Sequence, residues 1–277
     1  MGLLARYGPD AKLMAGGQSL LPLMRLRLAS PQVIIDISRL GELRYLREEA
    51  GGLRVGSLTR HFDLEQSRLA KPFDVISKLA GQIGHLPIRT VGSFGGSIAH
   101  ADPAAELALL CVGLDANIEI RSRARSRLVP AESFFISMFE TALEPEDVVI
   151  AAIFPSPPGP SFAAFEEVSI RPGDFALVSV LAAGHPDETG IFTWVRLAVG
   201  AVESRPRRFF EVEQLLAGTS LTAAVMKQAA SMVAAAVVPL ADDEADLRVR
   251  RHLVSSLVKE ALGEVRSQAD RAAAKVT

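Results

Sequence analysis

The chain has 277 residues, 49% hydrophobic and 22% charged, with a formal net charge of −2. Such a chain can bury a sizeable core and form more than one domain, and it lacks the basic footprint of a nucleic-acid-binding protein. Its single cysteine, Cys111, excludes an internal disulfide and an iron–sulfur cluster held by this chain.

Leu3 to Gly8 reads as the end of a helix closed by glycine. The apolar pair Leu13-Met14 leads into the turn Ala15-Gly16-Gly17-Gln18-Ser19, followed by an apolar stretch from Leu20 to Leu28. Val33 to Ile37 is a β-branched run suited to a buried strand, and Leu53 to Ser57 predicts another after the Gly51-Gly52 turn. His61, Asp63 and Glu65 beside Arg60 read as a solvated polar turn. Asp74 to Gly84 predicts a helix with aspartate as cap, one apolar face and glycine at its end.

Thr90 to Glu106 is the most informative stretch. Gly92, Gly95 and Gly96 allow close backbone approach and free N–H donors, while Ser93 and Ser97 add hydroxyls, a pattern that suits a phosphate. Phe94 packs beneath this loop, and Asp102-Pro103 reads as a helix N-cap followed by proline at the first helical position. Two Gly-Gly turns with serine close by, from separate parts of the chain, would wrap a diphosphate with backbone donors and no lysine. His85 and His100 read as structural or simple hydrogen-bonding residues, and Cys111 as a buried small hydrophobe in the apolar run Leu107 to Leu114.

Asn117 to Ile120 and Val148 to Phe154 predict further strands, and Arg121 to Arg127 a solvated basic hairpin or a partner-facing edge. Alternating helix and strand argues α/β up to about residue 155, and Pro155 to Pro160 marks the domain boundary. Beyond it Phe175 to Ala183 and Ile191 to Val202 predict strands. Arg207 to Leu216, Thr222 to Val237 and Asp243 to Ser267 predict helices, so the second half is a sheet capped by helices. There is no nucleotide-hydrolysing phosphate loop, nucleophile elbow or zinc helix, and no apolar run approaches the roughly 20 residues of a membrane span. No export signal opens the chain, so the expected place is the cytoplasm.

Ala15 to Met24 (AGGQSLLPLM), Pro87 to Arg89 (PIR), Gly92 to Glu106 (GSFGGSIAHADPAAE) and Phe165 to Ala176 (FEEVSIRPGDFA) occur in the order found in one family. Together they resemble the FAD-binding medium subunit of molybdenum hydroxylases, the carbon monoxide dehydrogenase and xanthine dehydrogenase group, over nearly the whole chain. The resemblance implies an α+β protein. A two-subdomain α/β FAD-binding domain of the PCMH/vanillyl-alcohol-oxidase type would cover 1–156, divided near residue 40, with a carbon-monoxide-dehydrogenase-flavoprotein-like domain over 161–277. The family carries an extra strand and more of the first helix before Met1, so the N-terminus reads as shortened.

It also implies a set of FAD contacts. Ala15, Gly16, Gly17, Gln18, Ser19 and Leu20, with Ser93, Phe94, Gly95, Gly96 and Ser97, would line the pyrophosphate, the second loop running on towards the flavin ring. Glu106, ahead of Asp102, would accept from ribityl hydroxyls or ring N–H, because a carboxylate repels a diphosphate. Val149 and Ile150 would meet the flavin edge through their backbone. Phe175 stands where carbon monoxide dehydrogenases commonly have tyrosine beside the isoalloxazine, and Glu166 where some relatives have lysine. No side chain is expected to act as a catalytic acid or base. The implied partners are a large subunit with the molybdenum cofactor and a small subunit with 2Fe-2S clusters, in a dimer of heterotrimers. A stand-alone FAD oxidase or dehydrogenase and a non-catalytic scaffold remain the alternatives.

Overall fold

A computed structural model describes residues 1–49, 51–157, 159–240 and 245–275. Helix α1 (Gly2–Tyr7) ends at Gly8, whose φ of 53° is a conformation that favours glycine. Strand β1 (Ala11–Met14), the first glycine turn, α2 (Leu20–Arg25) and β2 (Val33–Asp36) follow, and β1 pairs with β2 in parallel from Ala11↔Val33 to Met14↔Asp36. Leu4 and Ala11 close a small core, with Leu13, Val33 and Ile35 packed around it.

The next stretch runs through β3 (Leu46–Glu49), β4 (Gly52–Gly56), α3 (His61–Glu65), α4 (Val75–Gln82), α5 (Leu86–Arg89), α6 (Phe94–His100) and α7 (Glu106–Gly113). It continues with β5 (Asn117–Arg121), β6 (Ser126–Pro130), α8 (Ala131–Phe134), β7 (Phe135–Ser137), β8 (Glu140–Thr141) and β9 (Val148–Pro155). The main sheet has the order β3-β4-β9-β5-β6, and every neighbouring pair is antiparallel. Helix and strand are mixed through this half as expected, with the parallel pair β1-β2 ahead of an antiparallel main sheet. Short connections join β3 to β4 and β5 to β6, which dictates antiparallel pairing, and α3 to α7 form a packed insertion instead of single-helix crossovers. Residues of β9 serve two cores, with a register shift opposite Glu119 and Ile120: Val148 and Ile150 face the N-terminal layer, and Val149, Ala152 and Phe154 face the central one.

The second half forms the sheet β10 (Phe162–Ser169), β11 (Ala176–Pro186), β12 (Phe192–Gly200) and β13 (Arg207–Arg208), in that order and antiparallel. Helices α9 (Phe210–Leu216), α10 (Ala223–Ala236) and α11 (Leu247–Ala273) cover one face, burying Val178, Val180, Ala182 and Leu197. The opposite face, through Ala163, Phe165, Leu181 and Ala183, joins the central core around α7. All eight residues of α7 are buried, consistent with an apolar run that has no polar stripe.

Several local expectations change. Asp102 does not cap a helix: its Oδ1 accepts from Ala104 N at 2.9 Å in a turn, and α7 starts at Glu106 after Ala105. Asp74 stands at the α4 N-cap position but its carboxylate pairs with Lys71 at 3.0 Å. His61 to Glu65 is a helix and not a solvated turn, since His61 is buried, Asp63 binds Arg44 and Glu65 binds Arg89. The stretch before Phe175 contains a strand, β10, that no β-branched run announces. The predicted last helix starts at Leu247 under an Asp246 side-chain cap, and its expected start at Asp243 lies outside the described residues. The basic hairpin is present as β5 and β6, with Arg127 held by Asp147 and Arg125 by Glu144.

Candidate functional site

The two glycine turns meet. A Cβ on Gly16 would stand 2.2 Å from the Val91 carbonyl oxygen and 3.0 Å from Gly92 Cα, so the first turn presses its backbone directly on the second. A Cβ on Gly96 would lie 3.8 Å from the Ala15 Cβ, which puts the exposed side of Gly96 beside the start of the first turn. Gly17 has φ of 71°, a left-handed conformation that turns the chain into α2.

The turns contribute differently. Among the described residues, none accepts a hydrogen bond from the N–H groups of Gly16, Gly17, Gln18 or Ser19, and the Ser19 hydroxyl is equally uncommitted. Four successive unpaired donors at a turn make an anion-binding concavity. The second segment is not the open loop expected. It is the first turn of α6, capped by Ser93, whose hydroxyl accepts from Gly96 N at 3.3 Å. Phe94 N and Gly95 N donate to Thr59 O and Ser57 O at 2.9 and 2.7 Å, and Ser97 N to Ser93 O at 3.0 Å. These amides are therefore spent, which leaves the Ser97 hydroxyl and the bare surface of Gly96 to meet a ligand.

Gly92 and Gly95 are glycines for packing. A Cβ on Gly92 would reach the His61 ring at 2.9 Å, and one on Gly95 would lie 2.4 Å from Ser57 Cβ. Phe94 is fully buried and meets Phe154 edge-on with ring centroids 6.3 Å apart, so its side chain supports the turn from below and does not line the site. Leu20 opens α2 directly behind the free amides.

Glu106 is buried at the first position of α7, and desolvation pushes its carboxyl up to about 8, with Glu167 and Asp102 nearby adding to the shift. That shift favours the protonated carboxyl, which can donate as well as accept. Glu167 on β10 is likewise raised to about 7 by burial. His100 makes a ring contact with Phe139 at 4.9 Å.

Val149 sends its side chain into the central core, leaving only its backbone for a ligand, while Ile150 O already accepts from Ser57 N at 2.9 Å. Phe175 is 63% exposed at the entry to β11, as an aromatic available to a flat ligand must be. Its loop is tied to the glycine side of the molecule, because a Cβ on Gly173 would sit 2.5 Å from the His85 ring, at the start of α5. Glu166 is not a free charge: Lys78 holds it at 2.8 Å. Sequence reasoning missed Ser57 and Thr59, whose carbonyls fix the α6 turn, and Arg60, whose guanidinium donates to Val91 O. Backbone acceptors leave no residue-type signal, and Arg60 looks like a surface charge among acids.

Comparison with known proteins agrees with this geometry. Residues 1–157 match the model described as FAD binding domain in molybdopterin dehydrogenase, and residues 163–265 the CO dehydrogenase flavoprotein C-terminal domain. The chain is 34% identical to the glyceraldehyde dehydrogenase medium chain of Sulfolobus acidocaldarius, over 92% of this chain and 91% of the relative. It is 32% identical to subunit alpha of the 6-hydroxypseudooxynicotine dehydrogenase complex of Paenarthrobacter nicotinovorans, over 95% and 89%. Carbon monoxide dehydrogenase from Hydrogenophaga pseudoflava, solved without the Mo-pyranopterin moiety of its molybdenum cofactor, superposes with a TM-score of 0.91 at 31% identity, covering 96% of this chain and 93% of that one. Two glycine turns joined at Gly16, and family models matched on both halves of the chain, make it a member of the FAD-binding medium subunits of molybdenum hydroxylases.

Proposed function

We propose that this chain holds FAD as the electron outlet of a molybdenum hydroxylase complex, receiving electrons from 2Fe-2S clusters of a small partner subunit after substrate oxidation at molybdenum in a large one. The observation that carries the reading is the row of unpaired N–H groups from Gly16 to Ser19, packed through Gly16 onto the Val91-Gly92 peptide. These donors and the Ser19 and Ser97 hydroxyls fit a diphosphate, and Phe175 offers an aromatic face for the isoalloxazine. When bound, FAD supplies the redox chemistry, accepting single electrons on one side and releasing a pair on the other. The chain's own residues bind and orient it.

The relatives' names carry unrelated substrates, a sugar aldehyde and a nicotine derivative among them, although the likeness spans nearly the whole chain. This supports substrate choice by the large subunit. Two structural units, 1–156 and 161–277, a dimer of heterotrimers and a cytoplasmic place complete the reading. No described helix is long and apolar enough to cross a membrane. Co-expression with the neighbouring genes, purification through a tag on this chain, and an absorption spectrum with a mass-spectrometric subunit census test it. Flavin and iron–sulfur bands with one large and one small partner are expected. A yellow chain that purifies alone and is bleached by a small molecule directly would contradict the electron-outlet role.

A further inference from the structure

Arg60 differs from the arginines around it. Arg44 gives two 2.8 Å hydrogen bonds to Asp63, and Arg89 gives bonds of 2.7 and 3.3 Å to Glu65. Among the described residues no carboxylate forms an ion pair with Arg60. The nearest acid, Asp63, is taken by Arg44 and by the backbone N–H of Arg60 at 3.0 Å. Burial and the neighbouring Arg44 hold the Arg60 guanidinium below its ordinary value, and Asp63 offsets them only in part.

The position of that cation is specific. The Arg60 backbone runs beside Ser93 in an antiparallel bridge, and the guanidinium donates to the Val91 carbonyl oxygen. The same oxygen is the atom that a Cβ on Gly16 would strike at 2.2 Å. The Arg60 guanidinium and the Gly16 backbone therefore meet at one peptide oxygen, at the start of the unpaired amide row. The remaining guanidinium N–H groups have no partner among the described residues and are open to an anion.

We propose that Arg60 is a diphosphate-binding residue, supplying the full positive charge that completes the Gly16 to Ser19 amide row and clamping the Val91 carbonyl against Gly16. The assignment rests on the FAD reading above. The diesterified diphosphate of FAD is doubly anionic near neutral pH, and that of ADP carries more charge. Amides alone offer only partial charges, whereas the planar guanidinium fork matches phosphate oxygens and remains protonated.

The test is the full chain freed of flavin, titrated with FAD, with ADP (diphosphate without flavin) and with riboflavin (flavin without phosphate). Arg60→Gln keeps a donor for the Val91 carbonyl and removes the charge. It is expected to weaken FAD and ADP about 10- to 100-fold, to flatten the salt dependence of FAD binding, and to leave riboflavin within about twofold. Arg60→Lys is expected to recover most of the loss. Unchanged FAD and ADP affinity in Arg60→Gln would reduce Arg60 to a carbonyl clamp, and an equal loss of riboflavin would mean damage to the fold; either overturns the proposal. A wild-type chain that binds neither FAD nor ADP overturns the FAD reading itself, and is distinguishable because the variant is then irrelevant to the result.

Discussion

Gly16 is defined by what its missing methyl avoids. The clash of an added Cβ is with a backbone oxygen, which cannot rotate away, so Gly16→Ala must part the two turns. Flavin retained on purification is expected to fall at least tenfold, while Cys111→Ser, in a buried and distant core position, retains it. Equal flavin in both variants would contradict the site. Glu106 gives a second test. Its proton is held in the folded chain up to about pH 8, while the unfolded chain releases it near the ordinary value of 4.5. The folded state thus binds more protons between these values, and stability of the flavin-free chain falls as pH rises through that window. Glu167, raised to about 7, acts in the same direction. Buried His61, lowered to about 4, acts in the opposite direction below its ordinary value of 6.5, so the clean readout is the variant. Glu106→Gln should shrink the fall in urea-unfolding stability from pH 5 to pH 8 by on the order of 3 kcal/mol. The role of Arg60 escapes sequence reading because an arginine's partner, or lack of one, is a tertiary fact.

At the scale of elements, α7 carries the packing that joins the two halves. Leu109 is fully buried, and a Cβ on Gly200 of β12 would touch the Leu109 side chain at 3.3 Å. Leu109→Ala is expected to cost about 2–5 kcal/mol and to lower one cooperative transition, because the cavity opens between both sheets. Calorimetry showing that only one half loses stability would contradict that coupling. Elements with strong apolar patterning were legible in position: β2, β4, β5, β9 and the Thr222-capped α10 lie where the residues predict them, although β2, expected to be buried, is only partly covered and leaves Ile34 exposed. The α6 start was hidden because Gly95 and Gly96 are poor helix formers, and only the Ser93 cap and the carbonyls of Ser57 and Thr59 hold them helical. Asp102-Pro103 satisfies a turn as readily as a helix start, so residue type alone does not separate the two. Strand β10 opens on Phe162, Ala163, Ala164 and Phe165, which has no alternation because both of its faces are covered.

For the whole molecule, the two larger sheets and their helices set a pair of glycine turns at the contact of the N-terminal layer with the α3 to α6 insertion, with Phe175 at the entry to the C-terminal sheet left exposed. The glycine turns were legible as a site because their residue types are unusual together. Which of their amides are free was not, since that depends on the carbonyls that the rest of the fold brings to them. The most direct test of the central claim is equilibrium titration of the flavin-free full chain with FAD, followed by flavin fluorescence. Saturation at one FAD per chain, competed by ADP, is the result predicted from the free amides of Gly16 to Ser19. A chain that stays folded and does not saturate with FAD would contradict the account.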